Sequence, residues 1–316
     1  MATVLTSGSK SSRPWLAVFG SVGRETPWAI VTAFLTPALL MYAAFTAYPV
    51  IRTFYNSLHL IRPGGVEYVG FSNYVTLFTA DSTFFTAVTN TMIWAGLSPF
   101  LDVGVGLLLA LFLYAKVPFA RLFRIAWFTP VLISYVVVAI IWTWIYNYDW
   151  GAVNLLLRSV GLDGWTRAWL GTPDTALWAL IITHSWKWAG FNMVVCLAAL
   201  HSLPREVLEA AELDNCGWVK KLVFIITPMI RPTLLNLVIL SFIGKMKVFD
   251  LVWIMTRGGP LWSTETVSTY VYKRAFEWNT FDLGYPSAIA TVWFAVVISF
   301  VLGLSWLFRQ RGRLEY

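Results

Sequence analysis

Residues 202–221 read SLPREVLEAAELDNCGWVKK, lie between two long apolar segments and hold four of the chain's 16 acidic residues. Ser202 suits a helix start and Pro204 suits a first turn, so residues 205–214 read as helix. Asn215 and Gly217 then supply residues that tolerate a left-handed backbone. Glu206, Glu209 and Glu212 recur every third position and therefore line one side of that helix. Val207, Leu208 and Ala211 are left to face the protein, while Ala210 offers little bulk to whatever approaches. A second short helix is expected over 218–226, carrying Lys220 and Lys221, with Pro228 ahead of the next apolar run. The segment predicts a helix-turn-helix on a membrane face. A solvated loop and a docking surface both fit it.

What flanks this segment decides the fold class. The chain is 58% hydrophobic and 12% charged, with a mean hydropathy of +0.67, whereas soluble domains are roughly a quarter charged. A helix needs roughly 20 apolar residues to cross a bilayer. Six segments qualify, at 28–51, 84–114, 124–148, 175–201, 229–256 and 284–308. The expected fold is an all-α, multi-pass membrane protein with six transmembrane helices. An even number puts both ends on one side, and a cytoplasmic N-terminus leaves 13 Lys/Arg inside, seven outside and three within spans. The net charge of +7 is thereby topological and implies no nucleic-acid partner. Residues 1–27 are expected as a cytoplasmic tail, 28–310 as the transmembrane domain with its loop at 202–228, and 311–316 as a second cytoplasmic tail. The first apolar run is too long for a signal-peptide core and reads as an uncleaved span. The outer loops, such as WGAVNLLLRSVGLDGWTRAWLG at 150–171, fit short interfacial helices or a docking surface for an outside partner.

The string EAAELDNCGWVKKLVFIITP, residues 209–228, resembles the EAA loop of permease subunits in binding-protein-dependent ABC importers. That motif runs Glu-Ala-Ala, a Gly after three further residues, then Ile-x-Leu-Pro. Glu209, Ala210, Ala211, Asp214, Ile225 and Pro228 fall at its spacing, whereas Asn215 stands at the glycine and Thr227 at the leucine. Four further strings, YVGFSNYVTLF (68–78), WKWAGFNMVVCLAALHSLP (186–204), TRGGPLWSTETVSTYVYKRAF (256–276) and LGYPSAIAT (283–291), resemble the carbohydrate branch of that family, with the maltose and glycerol-3-phosphate permeases. The resemblance implies a bacterial inner-membrane protein that moves a carbohydrate by alternating access. It implies as partners a second related permease in a heterodimer, two ATPase subunits that bind ATP and Mg, and an extracytoplasmic substrate-binding protein. It also assigns ATPase coupling to Glu209 as polar anchor, Ala210 and Ala211 as close-approach points, and Asp214, Asn215 and Gly217 at the turn.

Charges inside the apolar segments point to the cavity. A Lys or Asp at bilayer depth costs about 2.5–3.5 kcal/mol on insertion scales, so Asp102, Lys187, Lys245, Lys247 and Asp250 should face protein or a wet cavity. Lys247 and Asp250, three apart, are placed to pair on one helix. Lys245 points elsewhere and shares a face with Ser241. The resemblance puts the fourth and fifth spans on the translocation path, making Lys187, Trp188, Asn192, Ser241, Lys245 and Phe249 cavity candidates. A free lysine there would select an acidic sugar or oligosaccharide; a lysine paired with Asp102 or Asp250, or snorkelling, would not. No Gly-x4-Gly-Lys-Ser/Thr string exists, so no ATP site or other cofactor is expected in this chain. Three histidines and two cysteines, Cys196 and Cys216, form no catalytic constellation or metal pattern. An ion-coupled secondary transporter would want a proton or sodium site and inverted repeats. A membrane-bound enzyme of sugar metabolism would want clustered carboxylates or histidines at one face, and neither signature is found.

Overall fold

The computed structural model describes residues 28–115, 117–278 and 282–311. The expected tail at 1–27 and all but Arg311 of the one at 311–316, with the Lys10, Arg13, Arg24 and Arg313 used to orient the chain, lie outside the described residues, as does Lys116. The chain divides into two compact units, at Thr53/Phe54. In the first, α1 (Trp28–Tyr42) passes through a π-turn at Ala43–Ala47 into α2 (Tyr48–Ser57), whose end opens the second unit.

The second unit begins with a feature that the all-α expectation omits. Strands β1 (His59–Arg62) and β2 (Gly65–Tyr68) form an antiparallel hairpin, with His59 opposite Tyr68 and Arg62 opposite Gly65. There follow α3 (Ser72–Ala80), α4 (Ser82–Tyr114), α5 (Ala120–Leu132), α6 (Tyr135–Ile145), α7 (Ala152–Ser159) and α8 (Pro173–His201). Beyond them lie α9 (Arg205–Leu213), α10 (Trp218–Lys221), α11 (Thr227–Lys245), α12 (Asp250–Met255), α13 (Val267–Tyr272) and α14 (Gly284–Arg311).

Among the described residues four helices are long and apolar enough to cross a membrane: Ile30–Ser57, Ser82–Tyr114, Trp218–Lys245 and Gly284–Leu304. A fifth span results if α5 and α6 count as one, although they meet at 106°. This break is the first departure from the straight span expected at 124–148. Pro130 lies in the last turn of α5, Ile133 and Ser134 take extended backbone, and the Ser134 hydroxyl accepts from Val137 N to start α6. The fourth expected span, α8, is 29 residues long but buries Thr183, His184, Ser185, Lys187 and Asn192, so protein rather than lipid must surround that face.

The second departure concerns the fifth span. It ends at Lys245 instead of running to 256, so Lys247 lies in a break and Asp250 opens a separate helix. The two share no helix, and no ion pair joins them among the described residues. At its other end this span is longer than expected, because residues 218–226 are no separate helix. They run through a π-turn at Leu222–Ile226 into α11. A proline has no N–H for the carbonyl four residues back, and the wider turn just before Pro228 re-registers the bonds, with Thr227 N donating to Leu222 O. The same device precedes Pro49, where Tyr48 N donates to Ala43 O.

Helix α8 is the axis of the second unit. Lipid is as apolar as leucine, so such helices associate through close packing, which small residues permit. Gly106 on α4 meets α8 so closely that an added Cβ would fall 2.5 Å from Asn192 Cβ and 2.9 Å from Met193 N. Gly190 on α8 meets α5, and a Cβ there would fall 1.9 Å from Trp127 O. Val103, Met193, Leu197, Leu200 and Leu237 fill the resulting three-helix core of α4, α8 and α11.

One end of the unit is tied by charge. Asp81 caps α4, accepting from Phe84 N at 2.9 Å, and also accepts from the hydroxyls of Tyr270 and Tyr285. The Arg274 guanidinium lies 3.4 Å from the same carboxylate and packs over the Trp278 and Tyr285 rings. Burial raises the Asp81 carboxyl, but these donors and the arginine outweigh it and hold the group below its usual range. Glu265, fully buried, accepts from Lys273 at 2.5 Å, and Lys273 also donates to Arg257 O, pinning the loop between α12 and α13. Burial holds Glu265 above the ordinary carboxylate range even against this lysine.

Candidate functional site

A cavity of about 350 Å³ opens between α4, α6, α8 and α11, at the lower end of the range of small-molecule sites. Asp102 enters it from α4 and Lys245 from the last turn of α11, where Ser241 stands one turn earlier. Lys245 Nζ donates to Asp102 Oδ2 and, at 3.0 Å, to Ser241 Oγ. Ser241 Oγ donates to the same carboxylate oxygen at 3.0 Å. The Asp102 side chain is wholly buried and that of Lys245 is 5% exposed. A buried charge is tolerable when paired and hydrogen-bonded; this pair meets that condition through Asp102 Oδ2, which takes both donors, while Oδ1 is buried without a hydrogen bond.

The opposite wall is aromatic. His184, Trp188 and Asn192 follow at four-residue intervals on α8, so they form one stripe. Trp188 Nε1 donates to the Tyr135 hydroxyl at 2.7 Å, and that hydroxyl lies 3.1 Å from His184 Nε2. The rings of Tyr135 and Trp188 are both near-parallel to His184, and Lys245 Nζ stands 5.8 Å from the Trp188 ring centre. The result is an aromatic slab beside a compensated ion pair, with Leu237 and Leu240 of α11 also lining the space.

Of the six cavity candidates read from the sequence, Trp188, Asn192, Ser241 and Lys245 line this space, and Lys187 and Phe249 do not. Lys187 turns to the broken span, where its Nζ donates to the carbonyls of Pro130 at 2.9 Å, Val131 at 3.1 Å and Ile133 at 2.5 Å. It is the cap of α5, supplying donors to carbonyls that the helix end leaves open. Phe249 stacks on Trp253, 5.5 Å between ring centres, and leans on Tyr272. Sequence reasoning missed Tyr135 and His184. The four-residue spacing from His184 to Trp188 was available as a signal, whereas Tyr135 lies beyond a helix break that no periodicity marks.

The second assembly is the charged turn. Helix α9 ends in a Schellman motif, with Cys216 N donating to Ala211 O at 2.9 Å and Asn215 N to Glu212 O at 3.0 Å. Asn215 takes the left-handed conformation at φ 52, standing where glycine is usual. Gly217, expected to share that duty, sits at φ −58. Lys221 ties the turn to Glu212 at 2.5 Å. Ala211 is buried and Leu208 packs into the three-helix core, while Glu209, Ala210 and Asp214 are exposed. Val207, expected against the protein, is instead exposed, as are Leu213, Trp218 and Val219. Leu213 is 84% exposed and Val219 67%, an apolar rim around an acidic helix that singly scattered surface residues do not produce.

Apolar helices around a largely apolar cavity that holds a few polar groups, with a charged turn beyond them, define a multi-pass membrane transport subunit rather than an enzyme. The chain belongs to the family of binding-protein-dependent transport system inner membrane components, whose model matches residues 102–311, and is a permease subunit of such a system. It is 35% identical to the probable ABC transporter permease protein YurN of Bacillus subtilis over 86% of this chain and 92% of that one. It is 32% identical to the arabinooligosaccharides transport system permease protein AraP of Bacillus subtilis over 88% of this chain and 89% of that one. Its fold is similar to a chain in the crystal structure of a bacterial alginate ABC transporter in complex with an alginate pentasaccharide-bound periplasmic protein, with a TM-score of 0.79 at 24% identity over 94% of this chain and 98% of that one.

Proposed function

We propose that this chain is the permease subunit of an ATP-driven importer that moves a carbohydrate by alternating access. The cavity carries the reading: Trp188 and Tyr135 offer ring faces on which a sugar stacks, and Asn192 and Ser241 offer polar groups to its hydroxyls. The relatives support it, since AraP is by name a permease for arabinooligosaccharides. The geometry supports a neutral sugar over the acidic one that a free lysine would select. Lys245 is paired with Asp102 and Lys187 is engaged by carbonyls outside the cavity.

Family membership supports the following reading of the rest of the machine. An extracytoplasmic binding protein delivers the sugar, a second, related permease completes the path, and two ATPase subunits bind ATP and Mg. The exposed face of α9, with Glu209, Ala210 and Asp214 and the turn at Asn215 and Gly217, docks in a cleft of an ATPase; Ala211 supports that face from within. Six spans, α8 among them, place both ends and this turn in the cytoplasm, the side that the Lys/Arg excess favours. Uptake by proteoliposomes holding the whole complex tests the reading. Sugar should enter with ATP and binding protein present and no ion gradient, and entry driven by a proton or sodium gradient without ATP would refute it.

A further inference from the structure

We infer that Asp102 sets the charge selectivity of this subunit's cavity: by neutralising Lys245 it makes that cavity favour uncharged saccharides. This rests on the carbohydrate reading above. Among the described residues, Asp102 and Lys245 are the two side chains lining the cavity that carry a formal charge at neutral pH. Their charges cancel at a hydrogen-bonded contact that also holds Ser241. The neighbouring cation, Lys187, is held by three carbonyls of the α5 end with its Nζ 5.0 Å from the Tyr135 ring centre, a fixed background that neither substitution at the pair alters. Lys247 and Asp250 are exposed and line a smaller adjoining space that shares Tyr135, His184 and Gly244 with the cavity, where their opposite charges add no net charge.

The consequence is a selectivity that one carboxylate controls. Removing it leaves a cation against Trp188 and Ser241, in surroundings where a charge interacts far more strongly than in water. An anionic sugar then becomes the group that restores neutrality. Removing Lys245 instead leaves the Asp102 carboxylate, which a cationic amino sugar neutralises. Opposite substitutions therefore have opposite gains. A pair that served only to hold α4 against α11 would lose stability in both variants and gain nothing in either.

The test measures equilibrium binding of the β-1,4-linked disaccharides of glucose, glucuronic acid and glucosamine to the purified importer complex, without binding protein. The wild-type complex should favour the glucose disaccharide. Asp102→Asn should raise the glucuronate-to-glucose binding ratio at least tenfold, and Lys245→Gln should raise the glucosamine-to-glucose ratio by a similar factor. The double variant should return to the wild-type preference. If one single variant fails to assemble, the other still decides through its own gain. Unchanged ratios in the assembled variants overturn the inference alone. A wild-type complex that binds no saccharide overturns the carbohydrate reading, and the inference with it.

Discussion

The charged turn and the cavity use similar residue types under opposite rules. In the turn, Glu209 and Asp214 stand in water and Glu212 is tied to Lys221 from nine positions away. In the cavity, Asp102 and Lys245 are buried and 143 positions apart. An exposed pair contributes up to about 1 kcal/mol and leaves the surface free to change partners. A buried pair must stay satisfied, because breaking it costs about 3–5 kcal/mol. The turn is thus suited to handling by another protein, and the cavity to holding a fixed electrostatic balance around whatever passes.

Substitutions break this contrast at graded cost. Outside the buried pair, Gly190→Ala should do most, since the new methyl meets Trp127 O; separating α5 from α8 should destabilise the complex by about 3 kcal/mol, read as loss of assembled permease in detergent. Lys187→Met strips three carbonyls of their donor, and about 2 kcal/mol is expected. Lys187→Arg should recover part of that, measured by thermal unfolding of the complex. In the turn, Asn215→Ala forces alanine to a φ of 52 and should cost about 1 kcal/mol, whereas Asn215→Gly should be neutral or slightly stabilising. The smallest effect is the acid response of the Asp81 tie. Its carboxyl titrates below the ordinary value of 3.8, so its contribution is present above that pH and falls away only as the pH drops through the lower, folded value. Asp81→Asn should flatten stability against pH in that acid range and leave the profile near neutrality unchanged in shape.

The same contrast explains what the sequence made legible. Everything that defines the turn lies within about 20 residues, so capping, the left-handed Asn215 and the spacing of the acidic side could be read directly. Gly217 was misjudged because the preceding Asn215 already supplies the reversal, leaving Gly217 ordinary backbone. The cavity needed pairings between distant segments. Helical spacing put Ser241 and Lys245 on one face but could not choose Asp102 over Asp250 as the partner, and the break after Lys245 removed the helix on which Lys247 and Asp250 were to meet. Lys187 had the right helix and the wrong neighbour, because the bend at Ile133 that gives it three carbonyls leaves only Pro130 as a trace in sequence. The π-turns before Pro49 and Pro228 likewise hide in what reads as a helix end.

The central claim is that the turn carries work from a nucleotide-hydrolysing partner to the cavity. Its most direct test measures ATP hydrolysis and sugar uptake together in proteoliposomes containing either the wild-type complex or Glu209→Arg. Hydrolysis should continue in the variant while uptake falls by on the order of 5–150-fold, the span of a 1–3 kcal/mol coupling, with the complex still assembled. Wild-type uptake in an assembled Glu209→Arg complex would contradict it.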